Sequence, residues 1–440
     1  MSTGAVAYPS RAYAWYTVVL LTVAYILSFV DRYVLGLLVE PIKADLGLTD
    51  TQIGILIGPA FGVFYATMGL PLGLMADRSR RTWLLAAGIT LWSLATAASG
   101  LAKNFWHLLT ARMSVGVGEA TLSPCAMSMI SDSFPPEERG KPIAFYTAAL
   151  SVGAGIASLA SAAVLEWAKL APPVSLPVVG ELATWQLIFF IVGLPGVLVA
   201  LMFLTLREPP RLLVEEADAE VRATPLDMLR YVFGRLPAFG GLIAMVSIMT
   251  IVAYSQGWLP AMFARTWDFP VERYVLINGI MLLALGPLTV NIAGVLCDRL
   301  TQRGVADAPL LIVMAGVLVL VPTHILAPLM PGPYVAFVVL AVNTVGIALA
   351  SSTGVTALLQ VTPARIRGQT VALYYMCISL AGLFLGPLTV GLLTDYYFGE
   401  ANLRYGVAAI AVLYGVPVIA LMPFARRAYN REYRRFHGDA

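Results

Sequence analysis

The amino-acid sequence predicts an all-α membrane protein with twelve transmembrane helices in two six-helix halves. Charged residues make up only 12% of the 440 residues, hydrophobic residues make up 59%, and the apolar residues fall into twelve long runs. Soluble domains carry about 25% charged residues, and a bilayer-spanning helix needs about 20 mostly apolar residues. Unbroken runs of this length exclude a transmembrane β-barrel, and a net charge of +3 is too small for a nucleic-acid-binding field.

The apolar runs predict an N-terminal half (residues 1–206) and a C-terminal half (residues 238–425), followed by a basic cytoplasmic tail (residues 426–440). The runs cover residues 14–38, 52–76, 82–101, 105–131, 140–168 and 184–206, and then residues 238–264, 273–297, 308–329, 333–360, 367–394 and 404–425.

A polar segment, residues 207–237, separates the halves. Thr224 and Pro225 form the pattern of an N-cap followed by proline at the first helical position. Leu226, Leu229 and Phe233 follow at helical spacing, which predicts a short helix on the inner membrane surface. A polar linker with a fortuitous apolar stripe is the alternative.

The distribution of Lys and Arg predicts the orientation. With both termini in the cytoplasm, 20 of the 28 Lys and Arg residues lie on the inner side, six lie on the outer side and two lie within spans. An excess of basic residues in cytoplasmic loops is the rule for membrane proteins. The loops contain no Asn-x-Ser/Thr sequon, which fits a bacterial inner membrane protein with multiple spans.

The two halves repeat a short motif. Gly73, Asp77 and Arg78 form a Gly-x-x-x-Asp-Arg sequence after the second span, and Gly294, Asp298 and Arg299 form the same sequence after the eighth. Internal symmetry of this kind is typical of transporters that rock two halves around a central site.

Twelve spans, the central linker and this loop resemble the major facilitator superfamily. Within that superfamily, residues 29–33 (Phe-Val-Asp-Arg-Tyr) and residues 112–120 (Arg-Met-Ser-Val-Gly-Val-Gly-Glu-Ala) are similar to the spinster family. The resemblance implies alternating access, an amphipathic lipid substrate of lysophospholipid or sphingolipid type, and a monomer. It also implies a cytoplasmic gate formed by Gly73, Asp77, Arg78 and Arg81, with Asp298 and Arg299 at the equivalent loop.

Four charged residues lie at membrane depth, namely Asp31, Arg32, Arg112 and Glu119. A charge there costs roughly 2.5–3.5 kcal/mol on insertion scales, so such residues usually mark function. At 1.5 Å per residue, Asp31 and Arg112 lie at similar depth, and Glu119 lies about 10 Å deeper on the same helix face as Arg112. We expect Asp31 and Glu119 to carry protons, and Arg32 or Arg112 to bind an anionic headgroup. A purely structural ion-pair network is the alternative.

Other polar residues within spans are weaker candidates for the substrate pathway, because most such residues form hydrogen bonds between helices. These are Tyr25, Thr121, Ser123, Tyr146, Gln256, Asn278, Asn343 and Tyr375.

The sequence disfavours an enzyme, because its three histidines, His107, His324 and His437, are too far apart to build one site. It contains no metal-binding motif and no phosphate-binding loop, so no cofactor or metal is expected. The predicted function is proton-coupled secondary active transport of an amphipathic lipid. The alternatives are a proton-coupled organic-anion symporter and a multidrug exporter of the same superfamily.

Overall fold

A computed structural model of the chain describes residues 8–135, 138–170, 175–176, 180–209 and 224–437. The α-helices are α1 (Arg11–Leu37), α2 (Val39–Leu46), α3 (Asp50–Ile57), α4 (Pro59–Arg78), α5 (Arg81–Ser99), α6 (Phe105–Glu119), α7 (Leu122–Ser133), α8 (Gly140–Leu170), α9 (Thr184–Leu204), α10 (Pro225–Phe233), α11 (Leu236–Ser255), α12 (Leu259–Trp267), α13 (Val271–Gln302), α14 (Ala308–Leu326), α15 (Pro333–Ser352), α16 (Gly354–Gln360), α17 (Arg367–Leu380), α18 (Gly386–Leu393), α19 (Leu403–Ile410) and α20 (Val416–His437). Two short strands, β1 (Ser175–Leu176) and β2 (Gly180–Glu181), pair antiparallel.

Each of the twelve predicted runs lies on helix. Within the described residues, 11 helical segments are long and apolar enough to cross a membrane. The predicted fourth span is the exception, because it is broken into α6 with 15 residues and α7 with 12 residues. The all-α membrane class is therefore confirmed, with the correction that several spans are interrupted.

Prolines explain several of the interruptions. A proline inside a helix lacks the amide hydrogen and its ring collides with the carbonyl four residues earlier. Pro124 lies four residues after Ala120, the residue that follows α6 at the break between α6 and α7. Pro260 follows the short 3₁₀ segment Gln256–Trp258, and Pro387 follows the π-helical segment Ala381–Leu385.

The described helices cluster into two compact units that cross the boundary between the sequence halves. The first unit contains residues 1–48, 59–218 and 272–283. The second unit contains residues 49–58, 219–271 and 284–440. The start of the second span thus packs within the second unit, and the start of the eighth span packs within the first.

The structure describes one short helix in the linker, α10. Thr224 caps α10 by accepting a hydrogen bond from the Asp227 amide, and Pro225 occupies the first helical turn. The position of α10 on the membrane surface stays a prediction. The preceding linker residues 210–223 lie outside the described part of the chain.

Candidate functional site: a buried charge cluster

The four charged residues predicted at membrane depth meet within the first unit. Asp31 and Arg32 lie on α1, and Arg112 and Glu119 lie on α6. Asp31, Arg112 and Glu119 are each at most 3% exposed. With two acids and two guanidinium groups, the cluster has no net charge, which reduces the cost of burying it.

Arg32 and Glu119 form a close ion pair. The Arg32 Nε donates a hydrogen bond of 2.6 Å to Glu119 Oε2, and Nη2 of the same guanidinium lies 2.5 Å from that oxygen. The Glu119 side chain is 0% exposed and the Arg32 side chain is 14% exposed. Both contacts therefore use one carboxylate oxygen, and the guanidinium retains a small solvent-facing surface.

Aromatic rings surround the Arg32 guanidinium. Its central carbon lies 4.7 Å from the ring centre of Tyr65, 4.8 Å from that of Phe61 and 5.5 Å from that of Phe29. Phe61 and Tyr65 stack at 5.2 Å, one turn apart on α4. Cation–π contacts of this kind stabilise a desolvated cation. The aromatic residues of α4 therefore stabilise the Arg32 guanidinium in addition to the ion pair with Glu119.

Arg112 contacts the backbone of α1 rather than the Asp31 carboxylate. Its Nη1 donates a hydrogen bond of 3.2 Å to the Asp31 carbonyl oxygen. The sequence placed these two residues at one depth but gave no means of distinguishing carbonyl from carboxylate.

Three buried polar atoms of the cluster lack a hydrogen-bond partner among the described residues. They are Asp31 Oδ1, Glu119 Oε1 and Arg112 Nε. Buried polar atoms in native proteins are nearly always hydrogen-bonded. The two carboxylate oxygens can therefore accept a hydrogen bond from water or a ligand, or bind a proton, and the Arg112 Nε can donate a hydrogen bond to water or a ligand.

Close helix packing fixes the cluster. A side chain on Gly116 would place its first carbon 2.5 Å from the Phe61 carbonyl oxygen, and one on Gly118 would place it 2.7 Å from the Gly88 carbonyl oxygen. Only glycine allows α6 to approach α4 and α5 this closely. The glycines between Arg112 and Glu119 therefore set the distance between the charged groups and the aromatic rings.

The other predicted polar residues are divided between the two units. Tyr25 stacks on Tyr146 in the first unit, with ring centres 5.1 Å apart. In the second unit, Gln256 donates a hydrogen bond of 3.1 Å to Asn343, which bonds in turn to Thr323 at 3.0 Å. Of the remaining four candidates, Thr121 bonds to the Gly118 carbonyl, Asn278 is buried, Ser123 is partly buried and Tyr375 is 52% exposed.

A second network lies at the predicted inner ends of the spans in the first unit. Arg81 is 1% exposed and donates to Glu208 at 2.7 Å, to Ser128 at 2.7 Å and to Asp132. Burial opposes ionisation of Glu208, but hydrogen bonds from Arg81 and Thr82 hold the pKa of its carboxyl below the usual value. Arg81 thus joins the third span, the fourth span and the start of the linker.

The other predicted gate residues are placed only in part. Gly73 and Arg78 lie in the last turns of α4, and Asp298 and Arg299 are exposed near the end of α13. The Asp77 side chain lies outside the described part of the chain. The role of Asp77 in the gate therefore stays a prediction, whereas Glu208 and Asp132 are partners of Arg81 that the sequence did not suggest.

A third cluster lies within the second unit, at the opposite ends of the spans. Both oxygens of Asp50, at the start of α3, accept hydrogen bonds from Arg265, at 2.7 Å and 2.9 Å. Asp395 accepts from the backbone amides of Asp50 and Thr51 at 3.2 Å and 2.6 Å. Asp50, Asp395 and Glu400 lie close enough together to hold a metal ion, but the bonds to Arg265 and to the α3 amides satisfy the two aspartates.

The fold agrees with the comparison to known families. The sequence model of the family described as the Major Facilitator Superfamily matches residues 21–387. The chain therefore belongs to the Major Facilitator Superfamily, and it is an integral membrane transporter rather than an enzyme.

Within the superfamily the chain is similar to proteins of spinster type. It matches the crystal structure of a bacterial homologue of the human lysosomal transporter Spinster, inward-facing and unoccupied, over 98% of both chains, with a TM-score of 0.80 and 26% identity. The inward-facing, occupied form of that homologue matches with a TM-score of 0.79. Such states belong to a transporter that works by alternating access. Mouse protein spinster homolog 1 is 27% identical over 341 residues, covering 72% of this chain and 61% of the mouse protein.

Two further relatives carry different names. An MFS-type efflux pump from Mycolicibacterium smegmatis is 29% identical over 390 residues, covering 87% of this chain and 85% of the pump. A probable L-galactonate transporter from Escherichia coli is 28% identical over 298 residues, covering 65% of this chain and 62% of that transporter. These bacterial relatives support the inner membrane as the location.

Proposed function

We propose that the chain is a proton-coupled transporter of an amphipathic lipid of lysophospholipid or sphingolipid type. The observation that carries this proposal is the buried Arg32–Glu119 ion pair, with Asp31 and Arg112 beside it. Coupling requires a titratable group whose charge state changes the position of another group, and this pair provides both.

Protonation of Glu119 is the proposed switch. With its carboxylate neutral, Glu119 no longer holds the Arg32 guanidinium by charge. Arg32 keeps the contacts to Phe61 and Tyr65, which favour a cation in either state. A guanidinium released in this way can form a bidentate contact with a phosphate or carboxylate.

Asp31 and Arg112 form the second part of the proposed mechanism. Asp31 has a free carboxylate oxygen, and Arg112 has a free Nε, within the described residues. A proton on Asp31 would neutralise its buried charge, and an anionic headgroup would accept a hydrogen bond from the Arg112 Nε. We assign Asp31 and Glu119 to proton transfer and Arg32 and Arg112 to the substrate headgroup.

The lipid assignment draws on the relatives of spinster type, and the rings around Arg32 support it. A headgroup at Arg32 would lie against Phe61, Tyr65 and Phe29, which is an apolar environment suited to an amphipathic molecule.

Movement at the outer ends of the spans completes the proposed cycle. We propose that residues 49–58 separate from the helices of the second half when the transporter opens on that side. The Asp50–Arg265 pair and the Asp395 cap of α3 must break in that step. The expected gate at Gly73, Asp77, Arg78 and Arg81, with Asp298 and Arg299, would close the inner side.

A small organic anion or a drug is the second candidate substrate. The relatives named as a galactonate transporter and as an efflux pump favour it, and Arg32 and Arg112 would bind a small carboxylate equally well.

Thermal stabilisation of the purified protein separates these candidates. Lysophosphatidylcholine, sphingosine, galactonate and a cationic dye are each added at matched concentrations, and unfolding is followed by intrinsic fluorescence. Stabilisation by the lysolipid or sphingosine alone supports the proposal. Stabilisation by galactonate or the dye alone contradicts the lipid assignment. An Arg112→Ala control that removes the stabilisation identifies the charge cluster as the binding site.

A further inference from the structure

A groove of about 920 Å³ lies in the second unit, between the first turns of α11 and the face of α20 from Val418 to Arg434. Small residues on α11 create it, because Pro237, Gly240 and Ala244 recur at helical spacing along its wall. Gly241 touches α20 so closely that an added side chain would lie 2.4 Å from the Ala425 Cβ. The groove is therefore a built feature beside a close helix crossing.

The opposite wall of the groove changes from apolar to basic along α20. Leu421 is 58% exposed and Phe424 is 65% exposed, and both line the groove where α20 still forms a predicted span. Arg427, Arg431 and Arg434 line it in the following turns. Residues at this spacing share one helix face, so three guanidinium groups point to the same end of the groove.

These three arginines differ from their neighbours on the same helix. Arg426 pairs with Asp307 at 2.6 Å, and Arg435 pairs with Glu432 at 2.8 Å. Within the described part of the chain, no carboxylate pairs with Arg427, Arg431 or Arg434, and all three are exposed. Among the described residues, the positive charge at the groove therefore has no carboxylate partner.

An apolar wall that continues into a cluster of exposed arginines matches the two parts of one kind of molecule. Lipid acyl chains fill an apolar groove on a membrane-facing helix, and a phosphate satisfies guanidinium groups through charge-assisted hydrogen bonds. Basic sites between helices at the cytoplasmic face bind anionic lipid headgroups for this reason. A soluble anion would use the arginines but not Leu421 and Phe424.

We infer that this groove binds an anionic two-chain phospholipid from the leaflet next to the arginines, with an acyl chain along α11 and the phosphate among Arg427, Arg431 and Arg434. The site is separate from the charge cluster of α1 and α6, and its lipid is a bound membrane component rather than the transported substrate. The lipid would tie the first helix of the second half to the last one.

Native mass spectrometry of the full-length protein in detergent tests this site. The probes are dioleoylphosphatidylglycerol, zwitterionic dioleoylphosphatidylcholine, and glycerophosphoglycerol, which has the headgroup without chains. We expect the parent to retain phosphatidylglycerol in preference to both other probes. Each basic residue near an anionic surface contributes about a fivefold gain in affinity. The triple variant Arg427→Gln/Arg431→Gln/Arg434→Gln should therefore bind phosphatidylglycerol roughly a hundredfold more weakly.

A matched control removes three charges elsewhere on the same predicted side, in the variant Arg303→Gln/Arg365→Gln/Arg435→Gln. It should bind phosphatidylglycerol like the parent. Equal loss in both triple variants would mean that only net charge matters, and would overturn the assignment. If the triple groove variant retained phosphatidylglycerol like the parent, the assignment of the groove as a lipid site would be overturned directly.

A second variant tests the apolar wall without changing charge. Ala244→Phe fills the groove and should weaken phosphatidylglycerol binding while all three arginines remain. Gly240→Leu serves the same purpose if Ala244→Phe does not fold. If the filled variants bind the lipid like the parent, or if glycerophosphoglycerol binds as tightly as the lipid, the site is a phosphate site and not a lipid site.

Discussion

The Arg32–Glu119 pair should contribute a large coupling energy to folding, and a double-mutant cycle can measure it. Two unit charges about 4 Å apart at an effective dielectric constant of about 20 interact by about 4 kcal/mol. The Glu119 side chain is fully buried and the Arg32 side chain nearly so, and removing one partner of a buried pair costs about 3–5 kcal/mol. Arg32→Gln and Glu119→Gln should each destabilise the protein by that amount.

The double variant should recover much of this loss, because the remaining cluster of Asp31 and Arg112 is again neutral. We expect a coupling energy of about 2–4 kcal/mol. The assay is equilibrium unfolding in mixed detergent micelles, with folding followed by intrinsic fluorescence.

An exposed pair provides the control for this cycle. Arg11 and Glu138 are also an arginine and a glutamate, 2.7 Å apart, but their side chains are 75% and 43% exposed. Exposed pairs contribute about 0–1 kcal/mol. If the buried cycle is additive within about 0.5 kcal/mol, or no larger than the exposed one, the pair is not a strong interaction and the proposed switch has no energetic basis.

Three further predictions concern other residues. Arg112→Lys keeps the charge but not the planar fork, so ligand stabilisation should fall strongly while expression stays near parent level; full stabilisation would rule out bidentate recognition. Arg265→Gln leaves Asp50 buried without its partner and should destabilise the protein by about 3–5 kcal/mol. It should also increase the labelling of cysteines introduced at the outer ends of the spans. Unchanged labelling would mean that the pair does not keep that side closed. The lowered pKa of Glu208 stabilises the folded protein at pH values above the unfolded-state pKa of about 4.3, and this stabilisation is lost as the pH falls through the lower folded-state pKa. The melting temperature of the parent should therefore decline more steeply below about pH 5 than that of Glu208→Gln. Equal slopes would show that the contact with Arg81 is not a source of acid sensitivity.

The sequence predicted the fold class well because membrane helices carry a strong and local signal. Composition and run length report on the membrane environment, and the repeated Gly-x-x-x-Asp-Arg motif reports on internal symmetry, without any knowledge of tertiary contacts. The N-cap at Thr224 was predicted for the same reason, since a cap depends only on neighbouring residues.

Partner identity could not be predicted, because it depends on how helices rotate and cross. The depth estimate brought Asp31 and Arg112 to one level, but the observed bond goes to the backbone carbonyl. The pairing of Arg32 with Glu119 needs the rotation of two helices, and periodicity alone does not fix that rotation. Phe61 and Tyr65 are two aromatic residues in an apolar run, and nothing in their spacing marks them as contacts of a cation.

The contacts at the ends of spans were not predicted for a different reason. Arg81, Arg265 and Asp50 lie where basic and acidic residues also set topology or cap helices. A charge at a span end therefore has an adequate local explanation, and only the structure shows that Arg81 is buried against Glu208 and that Arg265 binds Asp50.

The central claim is that Asp31 and Glu119 couple transport to protons, and transport driven by a pH gradient tests it most directly. Proteoliposomes containing the parent, Asp31→Asn or Glu119→Gln are loaded with the ligand found by thermal stabilisation, and flux is measured with and without an imposed pH difference. The parent should respond to the gradient, whereas each variant should lose that response and keep ligand binding or exchange. If both variants respond like the parent, the two carboxylates are structural and the proposed coupling is wrong.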